Sequence, residues 1–225
     1  MEVGPPTKNK KETSNEDISG QGDPEQELEE LPNKINDDSC SNCDASSEFP
    51  IIYMPQEISD QIIYHANLHQ RETGGVVIGY RWNDPHSNQL KFLIHYVSDE
   101  GREINVSSGH FNGDMEYFSQ KVEEWQTSQD AEFLGIWHSH PEGVNYLSGG
   151  DFHSVQRVFE YNPDLPIFLA PLVVYTPDND REIIFFFINC LQRHFTRIPP
   201  ETNVIFTTDD EFAYLRDEAL AGRNQ

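Results

Sequence analysis

The chain has 225 residues, of which 36% are hydrophobic and 12% aromatic, and this suits one mid-sized domain with appended segments. Its formal net charge of −24 argues against nucleic-acid binding, because an acidic surface repels phosphates, and it favours a basic partner or simple solubilisation. No apolar run approaches the roughly 20 residues of a membrane-spanning helix, so we expect no membrane association.

Residues 1–49 contain few large apolar side chains, and we predict a disordered acidic tail because such a segment cannot offset its ordering entropy. The first residues lack the apolar segment of a secretory signal, and the cysteine count of three is odd, so we expect a reducing cytoplasm. Cys40 and Cys43 form a lone CxxC pair, with no second pair to complete a four-cysteine zinc site. Cys190 lies in an apolar run, which predicts a buried side chain.

Folded sequence is predicted from about residue 50. Ile58, Ile62 and Ala66 recur at four-residue spacing and predict a helix. The apolar runs GGVVIGYRW and LKFLIHYVS, separated by NDPHSN, predict two strands joined by a turn. The following run, EGREINVSSGHFNGD, has no clear period and predicts a loop, either alone or with a short strand.

A second helix is predicted after Asp114, a suitable N-cap. It carries an apolar stripe formed by Met115, Phe118, Val122 and Trp125. EFLGIWHSH then predicts a strand, SGGDFHSVQRVFEYNP a helix, and PIFLAPLVVYT and REIIFFFINCLQ two strands across a turn. Helices interleaved with strands indicate one α/β (or α+β) domain over residues 50–195. Residues 196–225 form a C-terminal extension, predicted as a short strand followed by an acidic helix or tail.

The stretch GIWHSHPEGVNYLSGGD suggests a metal site. His138 and His140 are separated by one residue on a predicted strand, so their side chains share a face. Pro141 ends the strand, and the glycine pair before Asp151 permits a tight turn that brings this carboxylate to the next helix. Two imidazoles and one carboxylate leave a fourth position open, as is typical of catalytic zinc.

A purely structural interpretation of the same stretch stays open. Ser148 and Asp151 also fit a capping box at the start of the helix, and the histidines would then be ordinary strand residues. The two interpretations are compatible, because a helix N-terminus can hold a carboxylate ligand rigidly.

A second histidine pair, His65 and His69, has helical i, i+4 spacing. Zincin metalloproteases carry a glutamate directly after the first histidine, and Ala66 stands there instead. We therefore interpret this pair as a polar face of the first helix.

A metal hydrolase also needs a general base to take a proton from water. Glu72 is the favoured candidate, because it lies between a helix and an apolar strand, next to a glycine pair that permits close backbone approach. Glu142, in the loop after the histidines, is the alternative, and spacing alone does not separate the two.

Taken together, HSHP, the later SGGD and the upstream ETGG resemble the JAMM (MPN+) metalloprotease motif, E…H-[ST]-H-P-x(6)-S-x-x-D. The positions that fill it are Glu72, His138, Ser139, His140, Pro141, Ser148 and Asp151. The resemblance extends from about Ile51 to about Gln192 and covers neither the acidic tail nor the last residues.

The resemblance implies a mixed β-sheet wrapped by helices, in the cytidine-deaminase-like MPN/JAB arrangement. It implies one catalytic zinc per chain, bound by His138, His140 and Asp151, with Glu72 as base and proton shuttle. Ser148 would help to stabilise the oxyanion, as a positioned hydroxyl can. The implied reaction is hydrolysis of the peptide or isopeptide bond after the C-terminal glycine of ubiquitin or a ubiquitin-like protein, in deconjugation or precursor processing.

The compact chain looks most like bacterial JAB-type members, which by analogy serve ubiquitin-like conjugation systems together with activating and conjugating enzymes. Two alternatives remain. One is a metal-free scaffold that only binds partners, and the other is a zinc hydrolase of a small molecule or a sulfur-carrier adduct.

Overall fold

A computed structural model of the protein describes residues 49–68, 71–102, 113–140, 144–176, 178, 180–190 and 195–223. All of them belong to one unit of the chain, Asp38–Gln225. Nearly all of the predicted acidic tail, including Cys40 and Cys43, lies outside these residues. The same is true of most of the predicted loop before Asp114.

The described residues form one mixed sheet of eight strands. In chain order the strands are β1 (Ile51–Pro55), β2 (Gly74–Asn83), β3 (Leu90–Val97), β4 (Glu132–Ser139), β5 (Ile167–Tyr175), β6 (Arg181–Asn189), β7 (Thr196–Arg197) and β8 (Val204–Thr207). Their spatial order is β7-β6-β5-β4-β2-β3-β1-β8. Strand β4 is therefore central, antiparallel to β2 on one side and parallel to β5 on the other.

Five helices lie within the described part of the chain: α1 (Gln56–Asn67), α2 (Met115–Gln129), α3 (Gly149–Tyr161), α4 (Pro200–Asn203) and α5 (Asp209–Gly222). Helix α2 begins where predicted, because the Asp114 side chain accepts a hydrogen bond from the N–H of Tyr117. Helix α5 begins with a capping box between Thr208 and Glu211. The α/β class predicted from the sequence is confirmed.

The helices cover both faces of the sheet. Helix α1 buries the predicted Ile58, Ile62 and Ala66 in a cluster that also contains Val77 of β2. The neighbouring Val76 points to the other face, into a cluster beneath α2 and α5, as strand alternation requires. A third cluster lies beneath α3. His138 therefore belongs to a strand that is packed on both sides.

Two predictions about single residues are wrong. Met115, placed in the apolar stripe of α2, is 62% exposed, because the stripe meets the sheet only from Phe118 onward. Cys190 is half-buried at the end of β6 and forms a disulfide bond, so it is not a simple buried apolar side chain.

None of the helices described is long and apolar enough to cross a membrane.

Candidate metal centre

The two histidines of the candidate site lie at the end of the central strand β4. The N–H of His140 donates to the carbonyl of Val173 at 3.0 Å, and the N–H of Ser139 donates to the carbonyl of Thr73 at 2.8 Å. The neighbouring strands therefore fix this segment from both sides. His138 and His140 are 7% and 4% exposed, and their Nε2 atoms lie 3.1 Å apart.

Asp151 comes to the histidines from the first turn of α3. Ser148 is the N-cap of this helix, and the two residues form the capping box that the sequence suggested. The N–H and the hydroxyl of Ser148 donate to Asp151 Oδ2 at 2.6 and 2.7 Å. Asp151 Oδ1 lies 3.4 Å from His138 Nε2, and Oδ2 lies 3.6 Å from His140 Nε2. The cap thus aims the carboxylate at both imidazoles.

The geometry of these three side chains fits a zinc ion. One ligand atom from each residue lies within 4.8 Å of the others. Tetrahedral zinc with bonds of about 2.0–2.2 Å needs ligand atoms roughly 3.3 Å apart. The separations of 3.1, 3.4 and 3.6 Å agree with that requirement. Two imidazoles and one carboxylate are also ordinary ligands of catalytic zinc.

The protonation states suit metal binding as well. Burial lowers the pKa of His138 to about 4, although the charge of Asp151 acts in the opposite direction. The imidazole is therefore neutral at pH 7, with a lone pair for a metal. Burial raises the pKa of Asp151, but hydrogen bonds from His140 and Ser148 and the charge of His138 outweigh it, so this pKa lies well below its usual range. The site presents a carboxylate at neutral pH.

An apolar pocket adjoins the ligands. Besides His138, Asp151 and Ser154, it is lined by Ile136, Val155, Val158, Phe168, Ala170 and Phe195. In such low-dielectric surroundings, electrostatic interactions with a reacting group are stronger than in water.

Strand pairing places Glu72 beside the histidines. Gly74 pairs with His138 in the antiparallel β2–β4 ladder. Hydrogen bonds between Thr73 and Ser139 continue this register by one residue, and from one further step in the same register we infer a place for Glu72 opposite His140. Residues directly opposite on antiparallel strands share a face and lie close together. Glu72 is half-buried and is not a member of the three-ligand group.

The glycine pair near Glu72 permits close backbone approach, as the sequence suggested. A Cβ at Gly75 would lie 2.1 Å from the carbonyl oxygen of Ser98, a distance that no side chain tolerates. The absence of a side chain lets Ser98 approach β2, where its hydroxyl accepts a hydrogen bond from the N–H of Val76 at 3.0 Å. Strand β2 therefore begins in a fixed position, two residues after Glu72.

The model for prokaryotic homologs of the JAB domain matches residues 55–188, which is more than half of the chain. The protein belongs to this family. Its fold also resembles the solution structure of protein DSY2949 from Desulfitobacterium hafniense, with a TM-score of 0.50 and 17% identity, over 71% of this chain and 94% of that one. At that identity the likeness establishes the fold alone. No curated protein matches the chain. The family resemblance drawn from the motif is confirmed.

The structure describes some of the predicted site residues of this JAB-domain protein and not others. The three proposed ligands lie together, and the role of Glu72 as base stays a prediction. Ser148 is exposed, and its hydroxyl is directed at Asp151. Pro141 and the rival base Glu142 lie outside the described residues.

The second histidine pair lies away from the ligands. His65 is not simply part of a polar face, because it is half-buried and its ring stacks on Trp137 with centroids 6.3 Å apart. Trp137 belongs to the cluster beneath α1, on the opposite face of the sheet from His138. His69 lies outside the described residues.

Sequence reasoning missed Glu100, a buried carboxylate that contacts both chain neighbours of Glu72. It lies in a run without periodicity, so no pattern marked it. Its contacts depend on the pairing of β2 with β3, which the sequence does not specify residue by residue.

Proposed function

We propose that this JAB-domain protein is a zinc-dependent peptidase that hydrolyses the bond after the C-terminal glycine of ubiquitin or a ubiquitin-like protein. The reaction would serve deconjugation or precursor processing. The observation that carries the proposal is the convergence of ligand atoms of His138, His140 and Asp151 within 4.8 Å of one another. Membership of a family that includes metallohydrolases supports it.

The residues of the chain would divide the work as follows. His138, His140 and Asp151 would hold one zinc ion, which when bound supplies Lewis acidity that polarises a carbonyl and acidifies water. Glu72 would accept a proton from the attacking water and deliver it to the leaving amine, as a general base and then a general acid. The apolar pocket would keep bulk water from one side of the reacting groups.

Ser148 is proposed to act in two ways. Its hydrogen bonds orient Asp151, and its hydroxyl would turn toward the oxyanion that forms during hydrolysis. A single donor of this kind contributes about 10²–10³-fold to turnover in other hydrolases. Ser148 is exposed, and for this second role its hydroxyl would exchange its hydrogen bond with Asp151 Oδ2 for one with the oxyanion.

The proposed partner is a ubiquitin-like protein or its conjugates, with activating and conjugating enzymes of the same system as associates. The net charge of −24 favours a partner with a basic surface. A cytoplasmic location is part of the same proposal.

The proposal is tested with the full chain loaded with zinc. The probes are ubiquitin and a panel of bacterial ubiquitin-fold proteins, each joined through its terminal glycine to a fluorogenic aminocoumarin amide. We expect release of the fluorophore from at least one probe, loss of that activity in His138→Ala and Glu72→Gln, and full activity in Glu57→Gln, an equivalent change at an exposed position of α1. Zinc-loaded protein that cleaves none of the probes would refute the proposed substrate class. Cleavage of an acetylglycine amide alone would indicate a small-molecule hydrolase instead.

A further inference from the structure

A buried carboxylate, Glu100, lies three residues beyond the end of β3 and touches both neighbours of Glu72. Its side chain is 7% exposed, and its Oε1 accepts a hydrogen bond from Arg71 at 3.0 Å. Its Oε2 accepts a hydrogen bond from the hydroxyl of Thr73 at 2.6 Å. A carboxylate buried to this extent needs such partners, because burying an unpaired charge is costly.

Glu100 is itself held firmly. Two residues earlier, the N–H of Ser98 donates to the carbonyl of Val76 at 3.1 Å. The carbonyl of Ser98 accepts the indole N–H of Trp137 at 2.9 Å. The carbonyl of Glu100 accepts the N–H of Asp114 at 3.3 Å. The carboxylate therefore projects from a segment tied to β2, to the ligand strand β4 and to the start of α2.

Thr73 connects this anchor to the metal ligands. It is 1% exposed. Its N–H donates to Ser139 Oγ at 3.2 Å, and its carbonyl accepts the N–H of Ser139 at 2.8 Å. Ser139 stands between the two histidines in the chain. The backbone that carries Glu72 is thus fixed to the histidines on one side and to Glu100 on the other, although Glu72 itself precedes β2.

We propose that Glu100 is a positioning residue for Glu72, acting through the hydroxyl of Thr73 and the guanidinium of Arg71. This inference rests on the proposed role of Glu72 as the base. A general base must lie within hydrogen-bond reach of the proton that it abstracts, and a misplacement of about 1 Å can cost on the order of 10²-fold in rate. The buried carboxylate supplies that placement without contacting the substrate.

The sharpest perturbation is Thr73→Val, which removes the hydroxyl, keeps the branched shape and leaves the Arg71–Glu100 pair intact. With the zinc-loaded full chain and the most rapidly cleaved of the fluorogenic probes named above, we expect kcat to fall by about 10–100-fold, with KM changed by less than about threefold. Zinc content should be unchanged. Thr73→Ser restores the donor and should recover kcat to within about threefold of the wild type.

A double-mutant cycle separates positioning from simple stabilisation. In single-turnover assays with excess enzyme, Thr73→Val should cause no further loss once Glu72 is replaced by Gln, since its effect passes through that carboxylate. Ile62→Val, a core change beneath α1, is the control that destabilises the domain without altering kcat per folded molecule. Equal losses from Thr73→Val in both backgrounds would overturn the inference.

Crystal structures of the zinc-loaded wild type, Thr73→Val and Thr73→Ser give a readout that does not depend on activity. We expect the Glu72 carboxylate to be displaced only in Thr73→Val, and an unmoved carboxylate would overturn the inference. If the wild type cleaves none of the probes, the proposed substrate class fails, and the crystal structures alone decide whether Thr73 and Glu100 position Glu72.

Discussion

Replacing Ser148 by alanine would separate the two roles proposed for this serine. The hydroxyl accepts the N–H of Asp151 at 3.2 Å and donates to Asp151 Oδ2 at 2.7 Å, and both bonds are lost. The backbone N–H of residue 148 would still hold Oδ2 at 2.6 Å. Because the cap is exposed, the loss of stability should be about 1 kcal/mol. For a domain of this size, that corresponds to a fall in melting temperature of about 2–4 °C.

The effect on the site should be larger than the effect on the fold. Asp151 keeps one of its two donors from Ser148, so zinc affinity should fall by about 10-fold, at the low end for residues that orient a ligand. At saturating zinc, turnover should fall by a further 10²–10³-fold, roughly the contribution of one oxyanion donor. The assay measures the melting temperature, zinc binding by competition with a chromogenic chelator, and kcat on the same samples.

The chain contains a matched control. Helix α5 begins with the same arrangement, in which Thr208 and Glu211 form a capping box far from the ligands along the chain. Thr208→Ala should lower the melting temperature to a comparable extent and leave zinc affinity and turnover unchanged. If Ser148→Ala behaves in the same way, with kcat per folded molecule unaltered, the serine is a cap alone and its proposed catalytic role is wrong.

Three further predictions follow from the ligand set and the base. Asp151→Ala and His138→Ala should each reduce bound zinc from about one ion per chain to none, as measured by elemental analysis. If the wild-type protein itself takes up no zinc, the proposed metal site is wrong. Glu72→Gln should retain zinc and fold but lose about 10²–10⁴-fold in turnover; full activity in this variant together with an inactive Glu142→Gln would transfer the role of base to the loop. In the metal-free protein, folded His138 has a pKa of about 4, below its ordinary value of 6.5, so the folded state binds fewer protons than the unfolded state between these values. The free energy of unfolding should therefore fall by about 3 kcal/mol as the pH drops from 6.5 to 4, and this loss should be absent in His138→Gln when both are compared in urea titrations.

The parts of the fold set by local periodicity were predictable. The four-residue spacing of Ile58, Ile62 and Ala66 located α1, and the two-residue spacing of His138 and His140 gave their shared face. Both rules depend only on the geometry of a single element. Short-range patterns of this kind also located the cap at Ser148, because a capping box spans only four residues.

The remaining features depend on contacts between distant parts of the chain. The place inferred for Glu72, opposite His140, depends on the register in which β2 and β4 pair across more than 60 residues, and a shift of one residue would turn it to the other face. Glu100 meets Thr73 through the pairing of β2 with β3. Met115 is exposed because the apolar stripe of α2 meets the sheet only from Phe118 onward. Composition and spacing do not contain this information.

The three candidate ligands come from elements of very different rigidity. His138 lies in a strand that is bonded on both sides, and His140, directly after that strand, is bonded to β5. Asp151 instead occupies the first turn of a helix, where backbone bonds fray most readily. Much of the imidazole geometry therefore exists before any ion arrives, and little conformational entropy is lost on binding. Ion release should begin with brief opening of the first turn of α3, so the residence time of the metal should follow the strength of the cap more closely than the global stability of the domain.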